Sequence, residues 1–120
     1  MEVIELNIIN YIKDKFSRKY TNEISYDEAM RIVKENKNVY LIDVRSKQEF
    51  EEGHLKNAIS MPVYDLTKTI IREIPLRDSL IIVYCQKGIR SKKSARILAD
   101  LCYTNVFEIK GGVNLSKLCF

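Results

Sequence analysis

Apolar side chains along this chain recur in two periods, and the two alternate. Ile4, Ile8, Tyr11, Ile12 and Phe16 stand at near-helical spacing, with Lys13, Asp14, Lys15, Arg18 and Lys19 elsewhere, which predicts an amphipathic helix over about residues 5–18. Ser25-Tyr26-Asp27-Glu28 is a capping box, in which the Ser hydroxyl takes an amide of the first turn and Glu28 reaches back. Ala29, Met30, Ile32 and Val33 continue that helix to about Asn36. Val39-Tyr40-Leu41-Ile42 is too continuously apolar for a half-exposed strand and predicts a buried one. Ser46-Lys47-Gln48-Glu49 is a second capping box opening a short helix, which Gly53 is placed to end in a left-handed conformation.

Ala58-Ile59-Ser60-Met61 predicts a strand stopped by Pro62, and residues 63–73 a helix ended by Pro75. Leu80-Ile81-Ile82-Val83-Tyr84 is the strongest strand signal. Residues 91–102 predict a helix with Ala95, Leu98, Ala99 and Cys102 inward, and Val106-Phe107-Glu108-Ile109 a last strand closed by Gly111-Gly112. Strands alternating with helices predict an α/β fold, a parallel sheet with helices on both faces. The helical extension is assigned to residues 1–20 and the α/β domain to residues 21–120, with a joint near residues 18–23.

At 120 residues with 46% apolar side chains, the chain is one domain long and needs no staples. A net charge of +4, with charges of both signs at 30% of positions, does not argue for nucleic acid. No apolar run approaches the roughly 18 residues of a membrane span. Met1-Glu2-Val3-Ile4-Glu5 is acidic where a secretory signal is basic. These features predict a cytoplasmic protein without nucleic-acid or membrane partners. Cys85, Cys102 and Cys119 are odd in number and contain no Cys-x-x-Cys pair, which argues against a disulfide framework and a zinc site. No metal or cofactor is therefore expected.

The chemistry concentrates at Cys85. A buried strand ends there, and Gln86, Lys87, Gly88 and Ile89 lead into a helix that begins near Arg90 and Ser91. Ligands of open α/β sheets bind at the carboxyl ends of strands. Free amides at a helix N-terminus favour negative charge, and thiolate is the nucleophilic form of cysteine. Gly88 permits a bend that turns amides inward as an anion nest. Lys87, Arg90, Lys92 and Lys93 add positive charge. The alternative is a small core cysteine closing a strand.

Cys85-x-x-Gly88-x-Arg90-Ser91 resembles the active-site loop of the rhodanese family, the single-domain sulfurtransferases. Leu41-Ile42-Asp43-Val44-Arg45 with Glu49-Phe50 resembles its Asp-Val-Arg segment. Gly53-His54-Leu55, Asn57-Ala58-Ile59 and Pro62 resemble its Gly-His-Ile and Gly-Ala segment. Asn105-Val106 to Gly111-Gly112 resembles its last strand and di-glycine turn. The matches span about residues 22–115.

The resemblance implies a sheet of about five strands and a persulfide mechanism. Cys85 would attack the outer sulfur of thiosulfate or a persulfide donor and pass it to cyanide or a thiol, possibly one on a protein. The partners implied are thus a small sulfur-containing anion or persulfide donor and a thiol acceptor. The runner-up is a non-turnover sulfur carrier or interaction module of the same fold. Four residues separate Cys85 from Arg90, whereas the similar tyrosine-phosphatase loop has five. A smaller ring of amides suits one sulfur better than a tetrahedral phosphate.

The loop and rim residues expected to bind substrate are Gln86, Lys87, Gly88, Ile89, Arg90, Ser91 and Arg45. A cation at a helix start opposes the dipole, so Arg90 is expected to fold under the loop and hold its carbonyls. Ser91 reads as a cap or brace. Asp43, Glu49 and His54 are structural supports, with Arg45 expected to pair with Glu49 four residues on. His54 is expected to hydrogen-bond the loop after the short helix. Two departures from the family pattern stand out. Val113 replaces the usual aromatic, and Cys102-Tyr103 replaces a glycine after the long helix, with Cys102 expected to be buried.

Overall fold

The computed structural model describes residues 22–117. The helix expected over residues 5–18, the 1–20 extension and Cys119 lie outside the described residues. One five-stranded sheet runs in the spatial order β1-β5-β4-β2-β3, with every neighbouring pair parallel. The strands are β1 (Glu23–Ile24), β2 (Val39–Asp43), β3 (Ile59–Ser60), β4 (Leu80–Tyr84) and β5 (Val106–Ile109). Between them run α1 (Tyr26–Glu35), α2 (Lys47–Glu52), α3 (Leu66–Glu73) and α4 (Ile89–Asp100). Short 3₁₀ turns at Val63–Asp65 and Leu115–Lys117 complete the described elements. No helix among the described residues is long and apolar enough to cross a membrane.

The apolar runs of β2 and β4 lie at the centre of the sheet, where both faces are covered. Ile81, Val83 and Cys85 face one core with Leu66, Ile70, Ala95 and Leu98 of α3 and α4. Ile82 and Tyr84 face a second core with Ala29 of α1, Leu55, Val113 and Leu115. Each fully buried aliphatic side chain contributes about 1.5–3 kcal/mol, so the register of β2 on β4 is strongly specified. That register pairs Asp43 with Tyr84 and brings the carboxyl ends of the two strands to one rim.

The capping boxes differ. Ser46 accepts the Glu49 amide at 3.2 Å and Glu49 returns to the Ser46 amide at 3.2 Å, so the α2 box is complete. Ser25 accepts the Glu28 amide at 3.0 Å, but the Glu28 carboxylate turns to Arg31 instead of closing the box. The edge strand β1 is held by its pairing of Ile24 with Ile109, and residues 18–21 of the joint expected near residues 18–23 lie outside the described residues. Two further expectations are corrected. Gly53 sits at φ 158°, ψ 140°, outside the left-handed helical region. Helix α4 opens at Ile89 and ends at Asp100, which leaves Cys102 exposed at φ 72° while Tyr103 takes the inward place.

Candidate active site

Alternation along β4 sends Cys85 to the face that α4 covers, and the strand ends one residue before it. The N-cap of α4 is Gly88, at φ 90° and ψ −8°, a left-handed conformation that glycine adopts without steric cost. Gly88 has no side chain to cap the helix. Cys85 supplies the cap instead, its Sγ accepting the Gly88 amide at 3.0 Å and the Ser91 amide at 3.3 Å. The Ser91 hydroxyl lies 3.4 Å from Sγ and donates to the Gly88 carbonyl at 3.2 Å, the brace expected of it. The amides of Gln86, Lys87, Ile89 and Arg90 meet no acceptor among the described residues. They are the orphan donors of a helix N-terminus and the loop before it.

The di-glycine turn holds this loop from below. The Val113 amide donates to the Cys85 carbonyl at 2.8 Å. A Cβ on Gly112 would stand 2.4 Å from the carbonyl carbon and oxygen of Gln86, so only glycine lets the two backbones lie this close. A cavity of about 320 Å³ is lined by Cys85, Gln86, Lys87, Ile89 and Arg90. The cysteine itself is 1% exposed.

Two ion pairs build the rim, and neither is the one expected. Arg45 binds Asp43, through Nε at 3.0 and 3.1 Å and Nη2 at 2.7 Å, and caps the Gly53 carbonyl at 2.6 Å. Both side chains are buried. Arg45 thus ties the end of β2 to the end of α2, and it borders a neighbouring cavity of about 260 Å³ with Glu49 and Gln86. Glu49 pairs with Arg90, not Arg45. The Arg90 guanidinium therefore does not hold loop carbonyls. It grips a carboxylate, which together with the Ser46 contacts holds the Glu49 pKa down to about 2 against the cost of burial. His54 stacks on Phe50 with centroids 3.7 Å apart and hydrogen-bonds the Phe50 carbonyl at 2.8 Å through Nδ1, so it closes α2 on its own last turn.

Two residues of the region escaped the sequence reading. Tyr84 is buried and its hydroxyl accepts the Leu55 amide at 3.0 Å; burial pushes its pKa up. Glu108 is 2% exposed on β5, beside Val83 in register. A charge at an inward position of an otherwise apolar strand was the available signal for it.

A doubly covered parallel sheet whose strand-tip cysteine accepts the first amides of a helix defines the class as α/β. The chain belongs to the rhodanese-like domain family, whose model matches residues 25–117. A sulfurtransferase of Allochromatium vinosum is 28% identical over 92 residues, covering 77% of this chain and 84% of the relative. A tRNA uridine(34) hydroxylase of Photorhabdus laumondii is 27% identical over 122 residues, covering 94% of this chain, which spans only 34% of that relative's length. The human single-domain sulfurtransferase TSTD1 superposes with a TM-score of 0.72 over 82% of this chain and 99% of its own, at 22% identity, a likeness of fold.

Proposed function

We propose that this chain moves sulfane sulfur from thiosulfate or a persulfide donor to a thiol or to cyanide, through a persulfide on Cys85. The observation that carries the reading is the convergence of the Gly88 and Ser91 amides on Cys85 Sγ, at 3.0 and 3.3 Å. Such donors favour negative charge on the sulfur, as the N-terminus of α4 does. The Cys85 thiolate attacks the outer sulfur of thiosulfate. A sulfur–sulfur bond forms to Cys85, the donor's own breaks, and its electron pair leaves with sulfite. The unengaged amides of Gln86, Lys87, Ile89 and Arg90 are donors for the charge on the transferred sulfur. An acceptor thiolate then attacks that outer sulfur, and the bonding pair returns to Cys85 as thiolate.

Geometry supports the remaining roles. Arg90 is committed to Glu49, so attraction of an anionic donor falls to exposed Lys87. Asp43, Arg45 and His54 hold the rim, and Ser91 braces the loop. The hydroxylation in the name of the longer relatives belongs to proteins of which this chain spans 21–45%.

The test incubates the full chain with thiosulfate and cyanide and measures thiocyanate. Turnover that disappears in Cys85→Ser supports the enzyme reading, and turnover that survives rejects it. A mass gain of one sulfur on Cys85 without thiocyanate release favours the carrier reading.

A further inference from the structure

A third cavity, of about 790 Å³, lies behind the loop, and Lys87 and Ile89 form the ridge that it shares with the cavity over Cys85. Lys92, Lys93, Arg96 and Lys110 line it. Lys92 faces Glu23 at 3.4 Å, whereas Lys93, Arg96 and Lys110 have no carboxylate partner among the described residues. On α4, Ile89, Lys92, Lys93 and Arg96 fall three, four and seven residues along, a stripe roughly 10 Å long on one side of the helix.

The same cavity is lined by Glu108, which is 2% exposed and whose Oε2 has no hydrogen-bond partner. Burial, then the neighbouring Glu23, pushes this carboxyl upward in pKa against the pull of Lys92. A buried polar group left unpaired is costly, and a turn of this side chain toward the cleft would let a ligand pair it.

We propose that this cleft docks an acidic, extended peptide segment of the protein that accepts the sulfur. The acceptor role rests on the function proposed above; recognition of the peptide does not. Carboxylates of the segment meet Lys93, Arg96 and Lys110. Its backbone offers both N–H and C=O, which satisfies Glu108 in either protonation state, whereas a phosphate chain offers acceptors alone. Ile89, 75% exposed at the ridge, takes an apolar side chain of the segment. An extended chain rises about 3.3 Å per residue, so the stripe accommodates about three residues on the path toward Cys85.

The experiment uses the full chain carrying Cys85→Ser, so that binding is read without transfer. A fluorescein-labelled Glu-Glu-Leu-Glu-Glu peptide is titrated by anisotropy. Saturable binding is expected. It should weaken at least ten-fold with Lys93→Glu and Arg96→Glu together, and about three-fold with Glu108→Met, folding being checked by thermal unfolding. Simple charge attraction predicts the opposite sign for Glu108→Met, because it removes an acid from a site for an acid. In the chain with Cys85 intact, Arg96→Glu alone, about two turns along α4 from the loop, should leave thiosulfate turnover unchanged. The proposal fails if binding is not saturable, ignores the charge reversal or tightens with Glu108→Met. It also fails if tripolyphosphate or a single-stranded RNA oligomer displaces the peptide at lower concentration than unlabelled peptide does. Should Glu108→Met not fold, the charge reversal alone decides. A failure of persulfide loading, measured separately, would leave these binding results standing.

Discussion

Arg90 grips Glu49 with both arms of its guanidinium, Nη1 to Oε1 at 2.5 Å and Nη2 to Oε2 at 3.0 Å, across 41 residues of sequence. The same carboxylate completes the capping box of α2 through the amide and hydroxyl of Ser46. One side chain thereby joins the start of α2 to the first turn of α4, where the Ser91 amide meets the sulfur. The fork also neutralises a cation that would otherwise oppose the α4 dipole.

This pair sets an acid dependence of stability. The Glu49 carboxyl lies at about 2 when folded, below its ordinary 4.5. The stabilisation is therefore present above pH 4.5 and is lost as the pH falls toward 2. The two side chains are 36% and 29% exposed, so solvent screening limits the effect to about 1 kcal/mol. Urea unfolding of Glu49→Gln should give a flatter stability profile than wild type between those pH values; parallel profiles would reject the assignment.

Asp43 should be far less tolerant. Its carboxylate is wholly buried and carries Arg45, whose guanidinium is itself buried. Asp43→Ala leaves a cation in the interior without its partner, which costs about 3–5 kcal/mol. Calorimetry should show a much larger loss for Asp43→Ala than for Glu49→Ala. Comparable losses would mean that water reaches Arg45 freely.

These two pairs also mark where local sequence stopped being informative. Pairing four residues apart is a property of helices, and Arg45 precedes the N-cap Ser46, so Glu49 is not on its face. Arg45 instead meets Asp43 two residues back, at a bend just past β2 where Asp43 Oδ1 also accepts the Arg45 amide at 3.0 Å. The Glu49–Arg90 contact depends on tertiary placement and has no local signature. Strand β1, two residues long, exists only through its pairing with β5. By contrast β2 and β4 were legible because burial on both faces requires unbroken apolar runs, and the Cys85–Ser91 loop because glycine and cysteine there serve needs that few residues can meet.

Gly111 and Gly112 should separate conformational cost from contact. Both have left-handed φ, 75° and 77°. A Cβ on Gly111 meets nothing within 4 Å, whereas one on Gly112 would strike the backbone of Gln86 and Lys87 at 2.4–2.6 Å. Gly111→Ala should cost about 1 kcal/mol and keep thiosulfate turnover. Gly112→Ala should displace the Cys85 loop and lower turnover at least ten-fold. Equal turnover in the two variants would show that the loop does not depend on this close approach.

Cys102 offers a gain of stability. The Tyr103 amide bonds the Leu98 carbonyl at 3.0 Å and the Cys102 amide the Ala99 carbonyl at 2.9 Å, the two bonds of a Schellman ending for α4. That ending places Cys102 at φ 72°, where a Cβ crowds the backbone. Glycine removes about 1–2 kcal/mol of strain and returns about 0.5–1 kcal/mol as extra freedom of the unfolded chain. Cys102→Gly should therefore stabilise the protein by roughly 0.5–1 kcal/mol, read as a higher urea midpoint at unchanged slope. The exposed thiol sits at the opposite end of α4 from Cys85, so turnover should not change. A loss of turnover in this variant would assign Cys102 a part in the sulfur chemistry that its position at the far end of the helix argues against.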